Sequence, residues 1–314
     1  MKSASRPRAL VLCNPAARGA RAACLWRRLE PHVCEFVVPT LVELSSPRRL
    51  QHDLAKALRE GIRVFIAAGG DGTVHVLANG LFSIADRPPL AELAIGALGL
   101  GSSNDYHKAR SRRHLGTFVR LDARHRQQRD VCLAHFRVRG EALRSRCFLV
   151  SASLGLTAEG NARFNSGDST IEWLKPWSVD LAIARAALWT WASFRPIPAR
   201  LVVGGERLSY VVASVNVQKT PYVSGMFRLD TPAAPDDGLL GVNVCTLRSR
   251  AALARRLMGL LRGRFAGKPG CRFWHVPRFE VETERPVALE LDGEIYEADA
   301  VTFEIARESI GECT

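Results

Sequence analysis

Two glycine-rich stretches carry the residue types that hold a phosphate. Gly69-Gly70-Asp71-Gly72-Thr73 follows an apolar run, Arg63 to Ala68, and opens a segment of helical spacing. Glycine lets a backbone approach an anion closely and adopt positive φ. Amides at a helix N-terminus bind phosphate oxygens with help from the helix dipole. Thr73 reads as the N-cap of that helix. Asp71 is the odd member, because a carboxylate beside a phosphate is repulsive unless a cation or a substrate hydroxyl lies with it; it points to Mg²⁺ handling or proton acceptance. The second stretch, Ile95 to Asp105, again follows an apolar run and offers Gly101, Ser102, Asn104 and Asp105 to a ribose, base or phosphate. Asn14-Pro15, with Gly19, ends the first apolar run and can join the same crevice. Each of these, taken alone, is also an ordinary turn. Two acidic stretches lie further on, Asp236-Asp237-Gly238 and Asp292-Gly293-Glu294. On residue types alone both read as turns between strands.

The elements that must position these residues follow from hydrophobic spacing. Ala9 to Cys13, Val33 to Val38, Arg63 to Ala68 and Ala94 to Leu98 read as strands. Ala20 to Leu29, Pro47 to Glu60 and Thr73 to Phe82 read as helices; in the second, Leu50, Leu54, Ala57 and Leu58 share a face. Such alternation predicts a parallel sheet covered on both faces, whose loops meet at the carboxyl ends of the strands. From Asp130 onward β-type segments dominate: 131–137, 147–152, 200–203, 208–217, 240–245, 278–282, 287–291 and 300–305. Turns of Gly, Pro and Asp separate them, which suits an antiparallel sandwich. Two helical insertions, 174–194 and 249–264, interrupt it. The expected domains are 1–128 and 129–314, with the last residues able to return to the first.

Composition narrows the partners. The 314 residues are 47% hydrophobic and 24% charged, a globular balance. The net charge of +13 favours anionic partners: phosphates, nucleic acid or a lipid surface. No run resembles a signal peptide or a membrane span. The eight cysteines form no C-x-x-C pair, so they read as reduced thiols of a cytoplasmic protein, with no zinc framework.

In order and spacing, Asn14-Pro15, Gly69 to Thr73 with Asn79-Gly80-Leu81, Gly101 to Asp105, the segment Met226 to Val242, and Leu291-Asp292-Gly293-Glu294 together resemble the diacylglycerol-kinase-like lipid kinases, a group that includes sphingosine kinases and bacterial lipid kinases. The resemblance runs from Asn14 to about Ile305. It implies an α/β nucleotide-binding domain, a C-terminal antiparallel β-sandwich and an active site in the cleft between them. It implies ATP-binding roles for Asn14, Gly69, Gly70, Asp71, Gly72, Thr73, Gly101 and Ser102, with Asn104 and Asp105 beside them, and for Thr40, as a threonine following the second strand. Glu294 matches the proton acceptor, with Asp292 its neighbour and Asp71 on the donor side. Asp237 matches an Mg²⁺-associated aspartate, with the carbonyls of Ala234 and Leu239 as co-ligands and Asp130 linked to the same metal network. The chain departs from the pattern at Gly99, where proline is usual, at Ser102, where threonine is usual, and at His75-Val76, which replace Asn-Glu.

Phosphoryl transfer needs the γ-phosphate positioned, its charge neutralised and the acceptor hydroxyl oriented. The expected reaction is ATP-dependent transfer, with Mg²⁺, to a hydroxyl of a membrane lipid such as diacylglycerol or a sphingoid base. Two alternatives stay open: a kinase of a soluble substrate, of the NAD-kinase-like type that shares the G-G-D-G loop, and a catalytically silent nucleotide- or lipid-binding member. Basic residues crowd 108–129 and 248–268, the latter with Leu253, Leu257, Leu260 and Leu261 on a helical stripe. Trp173, Trp177, Trp189 and Trp191 crowd one insertion. The basic helix suits an anionic membrane surface, and the tryptophans suit an apolar pocket or a membrane interface, so the insertion is expected to help form the acyl-chain entrance; the expected location is cytoplasmic, peripheral to the inner face of a membrane. No zinc finger, RNA-binding signature or helix-turn-helix is present, so nucleic acid is not an expected partner. The oligomeric state stays open, a dimer included.

Overall fold

The computed structural model describes residues 6–17, 22–101, 103–108, 111–174, 177–223, 225 and 227–314. The chain forms two compact units, Met1–Val131 with Ala306–Thr314, and Cys132–Ile305. In the first, strands β1 (Arg8–Cys13), β2 (Val38–Glu43), β3 (Val64–Gly69) and β4 (Ala94–Gly99) alternate with helices α1 (Ala22–Phe36), α2 (Pro47–Arg59) and α3 (Asp71–Phe82). The strands are parallel in the order β2-β1-β3-β4. A short helix α4 (Asp105–Lys108) and the hairpin β5 (Arg112–His114) and β6 (Thr117–Arg120) follow, and β6 runs antiparallel to β4. Near the end of the sequence, Gly311 and Glu312 add parallel to β4 opposite Ala94 and Ile95. Val11, Trp26, Leu29, Val33, Ile66 and Leu98 are buried together in this unit's core.

One expected strand is a helix. Val33 to Val38 is valine-rich, yet α1 runs to Phe36 and β2 starts only at Val38. Trp26, Leu29 and Val33 explain this: spaced three and four apart, they put one buried face on the sheet. Strand propensity at the valines is overridden by that helical period.

In the second unit, the strands are β7 (Gln127–Arg137, which begins in the first unit), β8 (Arg144–Phe148), β9 (Ser151–Gly155), β10 (Ile197–Val203), β11 (Glu206–Val212), β12 (Ser214–Gln218), β13 (Tyr222–Val223), β14 (Phe227–Arg228), β15 (Leu240–Cys245), β16 (Cys271–Val276), β17 (Arg278–Leu291) and β18 (Glu294–Glu312, which ends in the first unit). The ladder β16-β15-β12-β9-β17 is antiparallel throughout. β17 pairs with β10 over Phe279 to Thr283 and with β9 over Leu289 to Leu291, and its register with β18 shifts between Glu282 and Val287. A strand that changes partners at such an irregularity turns a sheet corner. The expected segments 147–152 and 208–217 are each divided between two strands. Phe148, Leu154, Val215, Leu240, Phe279 and Phe303 are among its buried residues.

Helical matter here exceeds the expected insertions. Helices α5 (Leu156–Phe164), α6 (Ser169–Leu174) and α7 (Val179–Ser193) share a small core of Ile171, Ala182 and Ala186, and α8 (Arg250–Leu260) follows β15. Among the described residues no helix is long and apolar enough to cross a membrane. All eight cysteines are free thiols.

Candidate active site

The parallel sheet brings the glycine loops together. In its register Gly69 lies opposite Gly99 and Cys13 opposite Ala68, so the segments after β1, β3 and β4 leave the same edge. The loops then touch through glycine. A Cβ on Gly101 would lie 2.4 Å from the Gly70 Cα, and one on Gly69 would lie 2.1 Å from Thr73 Oγ1. Neither position has room for a side chain. Asn14 Nδ2 donates to Thr73 Oγ1 at 3.2 Å, and the Leu100 amide donates to the Gly69 carbonyl at 2.8 Å.

Thr73 does not cap the helix. The cap is Gly70, which offers no side-chain acceptor, and Thr73 lies in the first turn with its amide on the Gly70 carbonyl. Its hydroxyl is turned inward and is buried. Asp71 carries a duty that sequence reasoning did not foresee. Its two carboxylate oxygens accept from the amides of Asp105 (3.0 Å) and Tyr106 (2.9 Å), which ties the first loop to the start of α4. Asn104 shapes the second loop: at φ +52° its side chain accepts from the Gly101 amide and donates to the Gly101 carbonyl. Asp105 is buried and pairs with Lys108 at 2.7 Å. Ser102 and Gly19 lie outside the described residues. Thr40 is not brought to this edge. It sits inside β2 opposite Leu10, because the second strand is displaced from its expected place.

A buried charge cluster supports the loops. Glu312 accepts from Arg129 Nη1 at 2.6 Å and pairs with Arg120 Nη1 at 2.8 Å, all three about 2–3% exposed. Both guanidiniums lie about 5 Å from the Tyr106 ring centroid (5.3 and 5.0 Å). Burial alone would raise the Glu312 carboxyl, but the two arginines hold it below the usual carboxylate range. Tyr106 is the residue whose amide holds Asp71, so Glu312 steadies the glycine loop through two intermediaries. Neighbouring His107 is buried and neutral, lowered from 6.5 to about 3, chiefly by burial and then by the Arg120 charge. Arg120 and Arg129 belong to the basic stretch that the sequence offers to anionic surfaces; both instead face inward.

In the second unit, Asp292 (φ +49°) and Gly293 (φ +94°) form the turn between β17 and β18. Two consecutive positive φ values are the signature of a type I′ hairpin. Asp292 is 3% exposed and accepts from the amides of Leu149 (2.8 Å), Val150 (2.8 Å) and Ser151 (3.1 Å). Its carboxylate is a clamp on the backbone. The Gly293 amide donates to the buried Glu290, which also accepts from Ser153 Oγ. Glu294, two residues on from Asp292, is exposed at the first position of β18, paired with Leu291. The arrangement presents one outward carboxylate on a turn pinned by three amides.

Two of the expected metal ligands meet a cation of the chain itself. Asp237 and the Leu239 carbonyl both accept from Lys219 Nζ, each at 2.7 Å. Ala234 is half-buried in the same loop, and Asp130 belongs to the first unit. Among the described residues no group of three or more His, Cys, Asp or Glu side chains could hold a metal ion.

The tryptophan-rich insertion divides. Phe194 joins the core, and Trp191 donates its indole N–H to the Arg250 carbonyl at 3.0 Å. Trp189 lies under Arg163 and Arg185, at 4.3 and 4.7 Å. Trp173, Trp177, Leu181 and Leu188 face outward, Trp177 at 78% exposure. On α8, Leu253, Leu257 and Leu260 pack on the core, while Met258 and, just past the helix, Leu261 are exposed.

Comparison with known proteins agrees with both halves. Residues 8–130 match the diacylglycerol kinase catalytic domain, and residues 151–310 match the YegS C-terminal NAD kinase beta sandwich-like domain. A diacylglycerol kinase of Bacillus subtilis (strain 168) is 25% identical over 240 residues, 76% of this chain and 73% of its own. The crystal structure of a diacylglycerol kinase from Bacillus anthracis str. Sterne aligns over 99% of this chain and 98% of its own with a TM-score of 0.67 at 16% identity. Two further solved structures from that organism give TM-scores of 0.70 and 0.71 at 18% identity, with the same coverage. At these identities the structures establish the fold, a parallel α/β domain with an antiparallel β-sandwich-like one. With both halves matched in the same order as the motifs that first suggested it, the chain belongs to the diacylglycerol-kinase-like lipid kinase family.

Proposed function

We propose that this kinase-family chain transfers the γ-phosphoryl group of ATP to a hydroxyl of a membrane lipid. The observation that carries the reading lies in the first unit, and one feature of the second unit supports it. Asn14, Gly70-Asp71 and Gly101 meet at one sheet edge beside an uncapped helix N-terminus. Glu294 stands outward on a turn whose other members are immobilised. The first unit takes the nucleotide side: loop amides and the α3 N-terminus meet phosphate oxygens. Asp71 shapes that loop through the Asp105 and Tyr106 amides. The second unit takes the acceptor side, with Glu294 accepting the alcohol proton. Mg²⁺ bound to the ATP would neutralise phosphate charge.

The outward face of the insertion supports a lipid over a soluble alcohol as acceptor. Trp173, Trp177, Leu181 and Leu188 expose apolar surface, and Arg248, Arg255, Arg262 and Arg264 are exposed on and around α8. Indole rings with nearby cations suit the boundary of an anionic bilayer. Replacing Trp173 and Trp177 together by alanine is expected to weaken sedimentation with anionic vesicles several-fold, leaving nucleotide affinity unchanged; equal losses of both would mark plain destabilisation. The reading itself is tested with radiolabelled ATP and mixed vesicles containing diacylglycerol, monoacylglycerol, a sphingoid base or phosphatidylglycerol. Label should pass to a lipid alcohol. Label passing only to a soluble alcohol such as a dinucleotide ribose overturns the lipid assignment, and none passing to any acceptor overturns the kinase.

A further inference from the structure

The oxygen atoms expected to ligate a divalent cation converge on a cation that the chain supplies. Lys219 follows β12, and its side chain is 0% exposed. Nζ donates to Asp237 Oδ1 and to the Leu239 carbonyl, both at 2.7 Å. Asp237 Oδ1 also accepts from the Leu239 amide at 3.1 Å, and His275 Nε2 lies 3.0 Å from Oδ2. Burial opposes ionisation of Asp237, but the Lys219 hydrogen bond, the Leu239 amide and the nearby charges hold its carboxyl below the usual range.

A carboxylate oxygen and a main-chain carbonyl are the hard oxygen ligands that Mg²⁺ and Ca²⁺ take. They are equally what an ammonium takes, with its three donors and compact charge. The two cations cannot share the place. A bound Mg²⁺ sits about 2.0–2.1 Å from its oxygens, in the space beside the ammonium, where like charges repel.

We propose that Lys219 is the resident cation of the 234–239 loop and stands in for a structural divalent metal there. The anchor reaches the acidic turn as well. The Lys219 amide donates to the Val150 carbonyl at 2.9 Å, and the Val150 amide donates to Asp292. The loop bearing Asp237 and the turn bearing Glu294 are therefore held to the same backbone segment without a metal at this position. The inference does not depend on the phosphotransferase reading, because it concerns how the second unit holds its shape.

Thermal unfolding of the full chain tests it, with neither nucleotide nor lipid present. The wild-type Tm should be the same in EDTA as in millimolar MgCl₂ or CaCl₂. Lys219→Ala, which opens room, should lower Tm in EDTA by on the order of 10 °C, as expected when a fully buried side chain and its hydrogen-bonded pair are removed. Added divalent cation should recover part of that loss, and Asp237→Asn in the same background should abolish the recovery. Should Lys219→Ala fold only when a divalent cation is present, the inference stands equally. It is overturned by a wild-type Tm that rises saturably with Mg²⁺ and loses the rise in Asp237→Asn. It is overturned as well by a Lys219→Ala protein that is as stable as wild type in EDTA, or that no divalent cation restores.

Discussion

Glu294→Gln is expected to lower turnover by about 10²–10⁴-fold, the range that general-base help commonly supplies, while Tm and nucleotide affinity stay at wild-type values. The substitution keeps the shape of the side chain and removes its ability to take a proton. Glu294 is exposed, and β18 holds it through its backbone pairing with Leu291, so little packing changes. Asp292→Asn gives the contrast. There a buried carboxylate serves three amides, and its loss should lower Tm because buried donors are left poorly satisfied. Initial rates with saturating lipid, nucleotide titration and thermal unfolding separate the two variants. Near-normal turnover in Glu294→Gln would remove it from the proton-acceptor role.

The second large effect is on stability. Glu312→Gln leaves Arg120 and Arg129 buried with no carboxylate, a change that costs about 3–5 kcal/mol when a buried pair is broken. That is a large share of a total stability of about 5–15 kcal/mol. Because Tyr106 packs under both guanidiniums and its amide holds Asp71, nucleotide affinity should fall with stability. Glu60→Gln is the matched control, since its pair with Arg8 lies at the surface and is worth about 1 kcal/mol or less. Acid should act on the same cluster. Glu312 is lowered in the folded chain, so its contribution is present above its ordinary 4.5 and is lost as pH falls. His107 is lowered from 6.5 to about 3, so only the unfolded chain takes its proton in that window, and stability again falls with pH. Each group contributes at most about 1.4 kcal/mol per pH unit. Tm measured downward from about pH 7 should decline first below 6.5; a flat profile through that window contradicts a neutral, buried His107.

Local pattern alone carries a good deal of this protein. The alternation of apolar runs and helical stripes through residues 9–98 encodes a parallel sheet, because a side-chain period of two or of 3.6 is a property of a few consecutive residues. The same holds for Asp292-Gly293, whose turn geometry is set by two residues. Even so, Val33 to Val38 misleads, since valine suits both a strand and the buried side of a helix, and Trp26 and Leu29 settle the matter only when the sheet is there to receive them.

What tertiary structure alone decides is pairing at long range. Nothing near Arg129 in sequence announces Glu312, 183 residues away, so two arginines that look like surface charge are in fact a buried support for the loops. Asp71 reads as a metal or proton ligand, and only the fold shows that the neighbouring loop also brings two amides onto it. Asp237 and Leu239 read as metal ligands, and only the fold shows that Lys219, just after β12, donates to both. In each case residue type states which charge or donor is available. Which partner satisfies it depends on what the fold places within about 3 Å in a poorly solvated interior, where an unpaired charge is costly.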